Sequence, residues 1–274
     1  MPELPEVETV VNYIKPLVVG QSLERIRLDP AYPQVLATHT ARTLNRKLRG
    51  CKVVDVRRRA KYIVFDLEQG FLVIHLRMTG RLQPVYDLER EGTHLRATFE
   101  FKHGNDLFFV DYRKFGRIYY YQDLTLLEER LGLEPLSRAF TAKWLMQEMQ
   151  ARKRMVKPFL LDQSIIAGLG NIYADETLWK AKVHPLATTN NISAAKITAL
   201  HKAIKLVLRS SIKQNGTTFN SYAFGAREAG RFRNKLQVFG RTGLPCKRCR
   251  TKIEKTKVAQ RGTHLCPQCQ MAPK

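Results

Sequence analysis

A chain of 274 residues with 44% hydrophobic positions holds enough apolar material for two modest cores, which excludes a disordered tail or a short peptide module. Its 47 Lys and Arg against 24 Asp and Glu leave a formal charge of +23, which opposes compaction unless a polyanion offsets it, so nucleic acid is the expected partner. No apolar run reaches transmembrane length and the N-terminus lacks the apolar core of a signal peptide; membrane residence is set aside and the cytosol is the expected compartment. Ribosomal proteins and binders of anionic membranes share this composition, so charge alone does not imply catalysis.

The chain opens Met1-Pro2-Glu3-Leu4-Pro5-Glu6-Val7. A small residue behind Met1 allows the initiator to be trimmed, leaving Pro2 with a secondary amine as its N-terminal group. An α-amino group titrates near pH 8, so an appreciable fraction is neutral and nucleophilic at physiological pH. Attack on an aldehyde-like carbon gives a cationic imine, an electron sink for later eliminations. Pro5 suits the first turn of a helix with the apolar stripe Val7, Val10, Val11, Ile14 and Leu17, and Glu3 and Glu6 lie beside the amine. On these residues alone, an ordinary Pro-rich helix start with acids at its positive end is the commoner explanation.

Short runs rich in β-branched and aromatic residues follow from about 22 to 122 and predict an antiparallel meander closing into a β-sandwich or flattened barrel. Runs 61–66 and 71–76 flank one turn, and 97–101 and 107–112 flank another. Tyr119-Tyr120-Tyr121 reads as strand packing. Leu131-Gly132-Leu133-Glu134-Pro135 marks the passage to a helical region, with helices expected at 141–153, 157–162, 171–181 and 194–213, the last capped by Ser193 and stopped by Gly216.

Several segments combine residue types that carry chemistry. Arg57-Arg58-Arg59-Ala60-Lys61-Tyr62 opens a strand with a basic run, and nothing intrinsic sets Lys61 apart. His75-Leu76-Arg77-Met78-Thr79-Gly80 and Asp111-Tyr112-Arg113-Lys114-Phe115-Gly116 each follow a strand and end in glycine; Met78 and Phe115 are either core residues or tips that fill the hole left by an extruded nucleotide, with Arg113 against the unpaired base. Glycines in 162–171 permit a tight turn, with Asn171 capping the next helix toward a phosphate; a plain helix-turn-helix packing unit explains them equally well. The strongest spacing signal is Cys246-x2-Cys249-x16-Cys266-x2-Cys269. Two CxxC knuckles supply four thiolates in tetrahedral array, which suits one closed structural zinc on a β-hairpin; a redox dithiol needs only one knuckle. Cys51 stands alone as a small buried hydrophobe. Residues 231–274 carry twelve Lys or Arg against Glu254 alone, which favours phosphates as neighbours, and by spacing Arg261 is one such contact.

PELPEVETV, together with RRAKY, AGLGNIYADE and QRGT, resembles the formamidopyrimidine-DNA glycosylases, bacterial base-excision repair enzymes, over nearly the whole chain. The resemblance implies an α+β fold: an N-terminal helix and antiparallel β-sandwich over 1–132, a helical helix-two-turn-helix region over 133–220, and a lesion-capping loop with a zinc finger over 221–274, DNA lying in the basic cleft between the domains. It implies a monomer near the nucleoid that acts on double-stranded DNA containing damaged bases, with Pro2 as nucleophile, Glu3 as general acid or base, Glu6 orienting the terminus, and Lys61 and Arg261 assisting β- and δ-elimination. His75, Met78, His94, Arg113, Phe115, Arg152, Lys157 and Asn171 become DNA contacts. Two positions depart from the family: Gly92 replaces the first histidine of a His-x-His pair, and Arg152 stands for a lysine. An endonuclease VIII-type enzyme for oxidised pyrimidines and a non-catalytic zinc-dependent nucleic-acid binder are the competing functions.

Overall fold

The computed structural model describes residues 2–217 and 230–273, so the capping loop expected at 222–230 lies, apart from Gly230, outside the described residues. The chain divides into two compact units, one running to Glu128 and the other comprising Glu129–Thr217 and Arg231–Lys274.

The first unit begins with α1 (Leu4–Val18), whose N-cap Glu3 is extended and whose Pro5 sits in the first turn, where a missing N–H costs nothing. Its stripe of Val7, Val10, Val11, Ile14 and Val18 is buried in the core of the unit. Two four-stranded antiparallel sheets supply the rest. One has the order β1 (Leu23–Leu28), β6 (Leu95–Phe101), β7 (Leu107–Val110), β5 (Arg81–Gln83); the other runs β2 (Val53–Arg59), β3 (Tyr62–Leu67), β4 (Phe71–His75), β8 (Arg117–Tyr121). Both expected hairpins form, with Tyr62 opposite His75 in one and Phe99 opposite Leu107 in the other.

The simple meander is corrected, because β2, β3 and β4 are consecutive but β8 completes their sheet and β1 pairs with β6. Two facing apolar surfaces require strands to be shared between sheets, and Phe65 of one sheet stacks on Phe99 of the other at 6.4 Å between centroids. Sequence reading also passed over α2 (Ala41–Leu48), a short helix that buries only Leu44 and Leu48 and is capped by Thr40, which accepts the Thr43 N–H at 3.2 Å. Short helices α3 (Leu88–Glu91) and α4 (Thr125–Glu128) complete the unit. The tyrosine run is strand packing, with Tyr120 buried and its hydroxyl donating to the Gln69 carbonyl at 2.9 Å.

The second unit contains α5 (Ala142–Gln150), α6 (Val156–Leu161), α7 (Asn171–Ala181), α8 (Ala194–Ile212) and the hairpin β9 (Glu254–Val258) with β10 (Arg261–Leu265). Gly132 is required where it stands, since a Cβ there would collide with the Ile165 main chain. Ser193 caps α8 as expected, whereas α7 is capped by Gly170, which makes Asn171 its first helical residue.

Candidate active site and nucleic-acid interface

At the head of α1 the Glu6 carboxylate accepts the Glu3 N–H at 3.0 Å, so the entry to the helix is clamped from its first turn, and one turn on the Thr9 hydroxyl donates to the Pro5 carbonyl at 2.8 Å. Pro2, Glu3 and Glu6 are all buried. One arginine joins this helix to the next candidate residue. Arg58 Nε meets the Glu8 carboxylate at 2.6 Å, and its Nη1 donates to the Ala60 carbonyl at 3.1 Å. Ala60 has φ +53, a tight reversal that turns the chain into Lys61, itself buried.

Tyr62 and His75 face each other across β3 and β4 with rings edge to face at 4.5 Å. His75 Nδ1 accepts the Arg77 N–H at 2.9 Å, which leaves the proton of the neutral ring on Nε2. Burial, followed by the charges of Arg77 and Lys61, pushes the His75 pKa from 6.5 to about 3. At neutral pH the ring is therefore an uncharged hydrogen-bond donor beside a buried lysine.

The loops after β4 and β7 bring three of the expected tips together. Met78 and Phe115 are 42% and 44% exposed, which excludes the core alternative for both. The Arg113 guanidinium lies over the Phe115 ring at 4.7 Å, with Nη1 3.3 Å from Met78 Sδ. His94 packs on Tyr112 at 4.3 Å between ring centroids, and its Nδ1 lies 3.3 Å from Arg96 Nη2. Gly92 has φ +54 and ψ −139, a conformation that resists a side chain.

In the second unit the structure corrects the expectation for Lys157. Its side chain is fully buried, with Nζ 2.6 Å from Asp175 Oδ1, 2.8 Å from Thr263 Oγ1 and 3.0 Å from the Gly262 carbonyl. An ammonium satisfied in this way is not presented to a phosphate; it braces the hairpin. Asn171 Nδ2 donates to the same Gly262 carbonyl at 3.0 Å, and the His264 N–H donates to Asp175 Oδ2 at 2.8 Å. Ala259 and Gln260, with φ +44 and +62, form the tight turn, and Arg261 projects exposed from the first position of β10 beside this braced backbone. Arg152 is half-buried and paired with Glu148 one turn earlier at 2.7 Å.

Asp175 and Glu176 escaped the sequence reading of the string that contains them. Glu176 is buried and accepts the main-chain N–H groups of Gln237, Val238 and Phe239 at 2.8 to 3.0 Å, and burial raises its pKa. The available signal was two adjacent acids in a helix whose neighbouring positions Tyr173, Ala174, Leu178 and Trp179 are apolar or aromatic. The four cysteine sulfurs lie within 4.8 Å of one another, the closest pairs at 3.4 Å. A tetrahedral zinc with Zn–S of about 2.3 Å needs sulfurs about 3.8 Å apart, so the cluster fits the ion.

Three family models match this chain: the formamidopyrimidine-DNA glycosylase N-terminal domain over residues 1–118, the H2TH domain of the same enzymes over 131–223, and a zinc finger found in FPG and IleRS over 243–271. A formamidopyrimidine-DNA glycosylase from Herpetosiphon aurantiacus is 42% identical over 275 residues, 98% of this chain and 100% of that protein. The chain belongs to the formamidopyrimidine-DNA glycosylase family. It is thus a glycosylase of base-excision repair, and its cysteine cluster is the family's structural zinc site. The Protochlamydia amoebophila glycosylase is 43% identical over 276 residues, covering 98% of this chain and 99% of that one. Among solved structures, a variant of the Lactococcus lactis FPG in complex with Fapy-dG-containing DNA superposes with a TM-score of 0.88 at 36% identity, covering 99% of this chain and 100% of that one. The MutM (Fpg) protein of Thermus thermophilus gives 0.88 at 35% identity, with 100% coverage of both chains.

Proposed function

We propose that this glycosylase excises oxidised purines, formamidopyrimidines and 8-oxoguanine, from double-stranded DNA and then cuts the strand at the abasic site. The damaged nucleotide is extruded from the duplex before chemistry. With Met1 removed, the Pro2 nitrogen attacks the sugar C1′, the glycosidic bond breaks and the base departs. Glu3 exchanges protons around the opening ribose, and Glu6 orients the terminus through the Glu3 N–H. The resulting imine withdraws electrons, so the 3′ phosphate leaves by β-elimination with help from Lys61 and the 5′ phosphate by δ-elimination with help from Arg261. Met78, Arg113 and Phe115 fill the vacated stack, while His75, His94, Arg152 and Asn171 meet the DNA. The enzyme acts as a monomer in the cytoplasm, with catalytic, helical and zinc-bearing parts over 1–132, 133–220 and 221–274.

The observation that carries this reading is the head of α1, where Pro2, Glu3 and Glu6 are all buried and the two glutamates close a capping box on the backbone that follows Pro2. The DNA in the solved relatives, with Fapy-dG in one complex and an abasic site in another, supports the substrate class. Borohydride reduction during incubation with abasic duplex tests it. A covalent protein–DNA adduct is expected, lost when an N-terminal extension blocks Pro2; an adduct that survives the extension overturns the nucleophile. Faster cutting of oxidised pyrimidines than of oxidised purines would overturn the lesion class.

A further inference from the structure

Two loops of the first unit, residues 76–80 and 111–116, are joined through a single buried carboxylate that the reaction does not use. Asp111 is fully buried. Its Oδ1 accepts the Thr79 hydroxyl and, at 3.2 Å, the Arg113 N–H, while Oδ2 accepts the Gly116 N–H at 2.7 Å. The Arg113 N–H is also shared with Thr79 Oγ1 at 3.2 Å, so hydroxyl, carboxylate and amide close a small ring between the loops. The main chain of Asp111 is held as well, its N–H by the His94 carbonyl at 2.9 Å and its carbonyl by Arg96 Nε at 3.0 Å.

The loops it joins do not hold their shapes by local preference. Arg77 in one and Lys114 in the other have φ of +52 and +57, a region unfavourable to side-chain-bearing residues that persists only where surrounding contacts over-determine it. Each loop also closes on a glycine that admits no side chain: a Cβ on Gly80 would sit 2.5 Å from the Leu76 carbonyl, and one on Gly116 would strike the Phe109 ring. The same two loops carry Met78, Arg113 and Phe115, with Arg113 in contact with both of the others.

We infer that Thr79 and Asp111 are positioning residues: the latch between the half-buried Thr79 hydroxyl and the buried Asp111 carboxylate holds the two loops in one register, so that Met78, Arg113 and Phe115 meet the duplex as a single preformed wedge. The inference rests on the proposed role of those three residues in filling the vacated stack. Preorganisation removes the ordering cost at the moment of insertion, so the latch acts on nucleotide extrusion and leaves the sugar chemistry alone.

The test uses the full-length enzyme and its Thr79→Val, Thr79→Ser and Asp111→Asn variants on two substrates. One is a duplex with a single 8-oxoguanine beside 2-aminopurine, whose fluorescence rises as the stack opens. The other is a single strand with an abasic site, in which there is no stack to open. Thr79→Val removes the hydroxyl's bonds to the Asp111 carboxylate and the Arg113 N–H, the latter keeping Asp111 Oδ1, and is expected to slow the fluorescence phase and single-turnover excision about tenfold, the size of the lost bond to the carboxylate. Cleavage of the abasic single strand stays within about twofold, and Thr79→Ser restores the duplex rate. Unchanged fluorescence kinetics in Thr79→Val, equal losses on both substrates, or failure of Thr79→Ser to restore the rate would each overturn the inference. If Asp111→Asn does not fold, the Thr79 pair decides alone. Absence of a borohydride adduct with the wild-type protein would sink the proposed chemistry, whereas the fluorescence phase judges the latch without any chemical step.

Discussion

Glu3 and Glu6 lie three residues apart and close a capping box at the head of α1, and the proposed chemistry gives them different tasks. Glu6 accepts the Glu3 N–H, a role that glutamine can also fill, so Glu6→Gln is expected to keep the fold and most of the activity, whereas Glu6→Ala costs about 1 kcal/mol of stability in chemical denaturation. Glu3 carries the proposed proton transfers, so Glu3→Gln should lower single-turnover base excision by about 10²- to 10⁴-fold. Borohydride trapping on a preformed abasic site should persist in that variant, because the imine then forms without base departure. His75 gives a pH signature. Folding lowers its pKa from 6.5 to about 3, so between these values the unfolded chain binds a proton that the native ring refuses. Its contribution is complete above about pH 6.5 and is lost as pH falls toward 3, at about 1.4 kcal/mol per pH unit within that window. Denaturation midpoints of His75→Gln should fall less steeply with acid than those of the parent.

At the level of elements, the zinc hairpin is held by α7 from beneath. Trp179 Nε1 donates to Cys246 Sγ at 3.4 Å and the Arg248 guanidinium lies 4.0 Å over the indole, so this tryptophan reports on the finger. Chelation of zinc in a Trp144→Phe background, which leaves Trp179 as the one indole, should change its fluorescence and lower the thermal midpoint; an unaltered spectrum with zinc removed would contradict a structural centre. Lys157 and Asp175 brace the same hairpin. Lys157→Met strands a buried carboxylate and should destabilise the second unit by about 3–5 kcal/mol in urea titrations, while the Lys157→Met, Asp175→Asn double variant recovers part of that loss. Because Gly262 follows Arg261, the single variant should also reduce the share of δ-elimination product on an abasic duplex.

For the whole molecule, the excess of positive charge makes salt the decisive variable for the proposed DNA binding. Neutralising six to ten phosphates implies a loss of about 10³- to 10⁵-fold in affinity between about 50 and 200 mM salt, which anisotropy titrations on lesion duplex would measure. Much of this protein was legible in the chain. Hydrophobic period marked α1, the β3–β4 and β6–β7 hairpins and α8; the CxxC spacing marked the zinc centre; and short strings carried the family, because these signals depend on residues that are neighbours in sequence. Other features depended on partners far along the chain. Strand order was one, since β8 and β1 reach their neighbours only when two apolar faces close on each other. The role of Lys157 was another: a lysine reads as a surface cation until Asp175, Gly262 and Thr263 converge on it, and burial then turns a supposed phosphate contact into a brace. Nothing local sets Asp111 apart either; its partners Thr79 and Gly116 are brought to it by the fold. What the sequence alone determined was composition, period and spacing, all local quantities; only the tertiary structure decided which charges are buried and what they hold, because desolvation and pairing depend on distances that only folding sets.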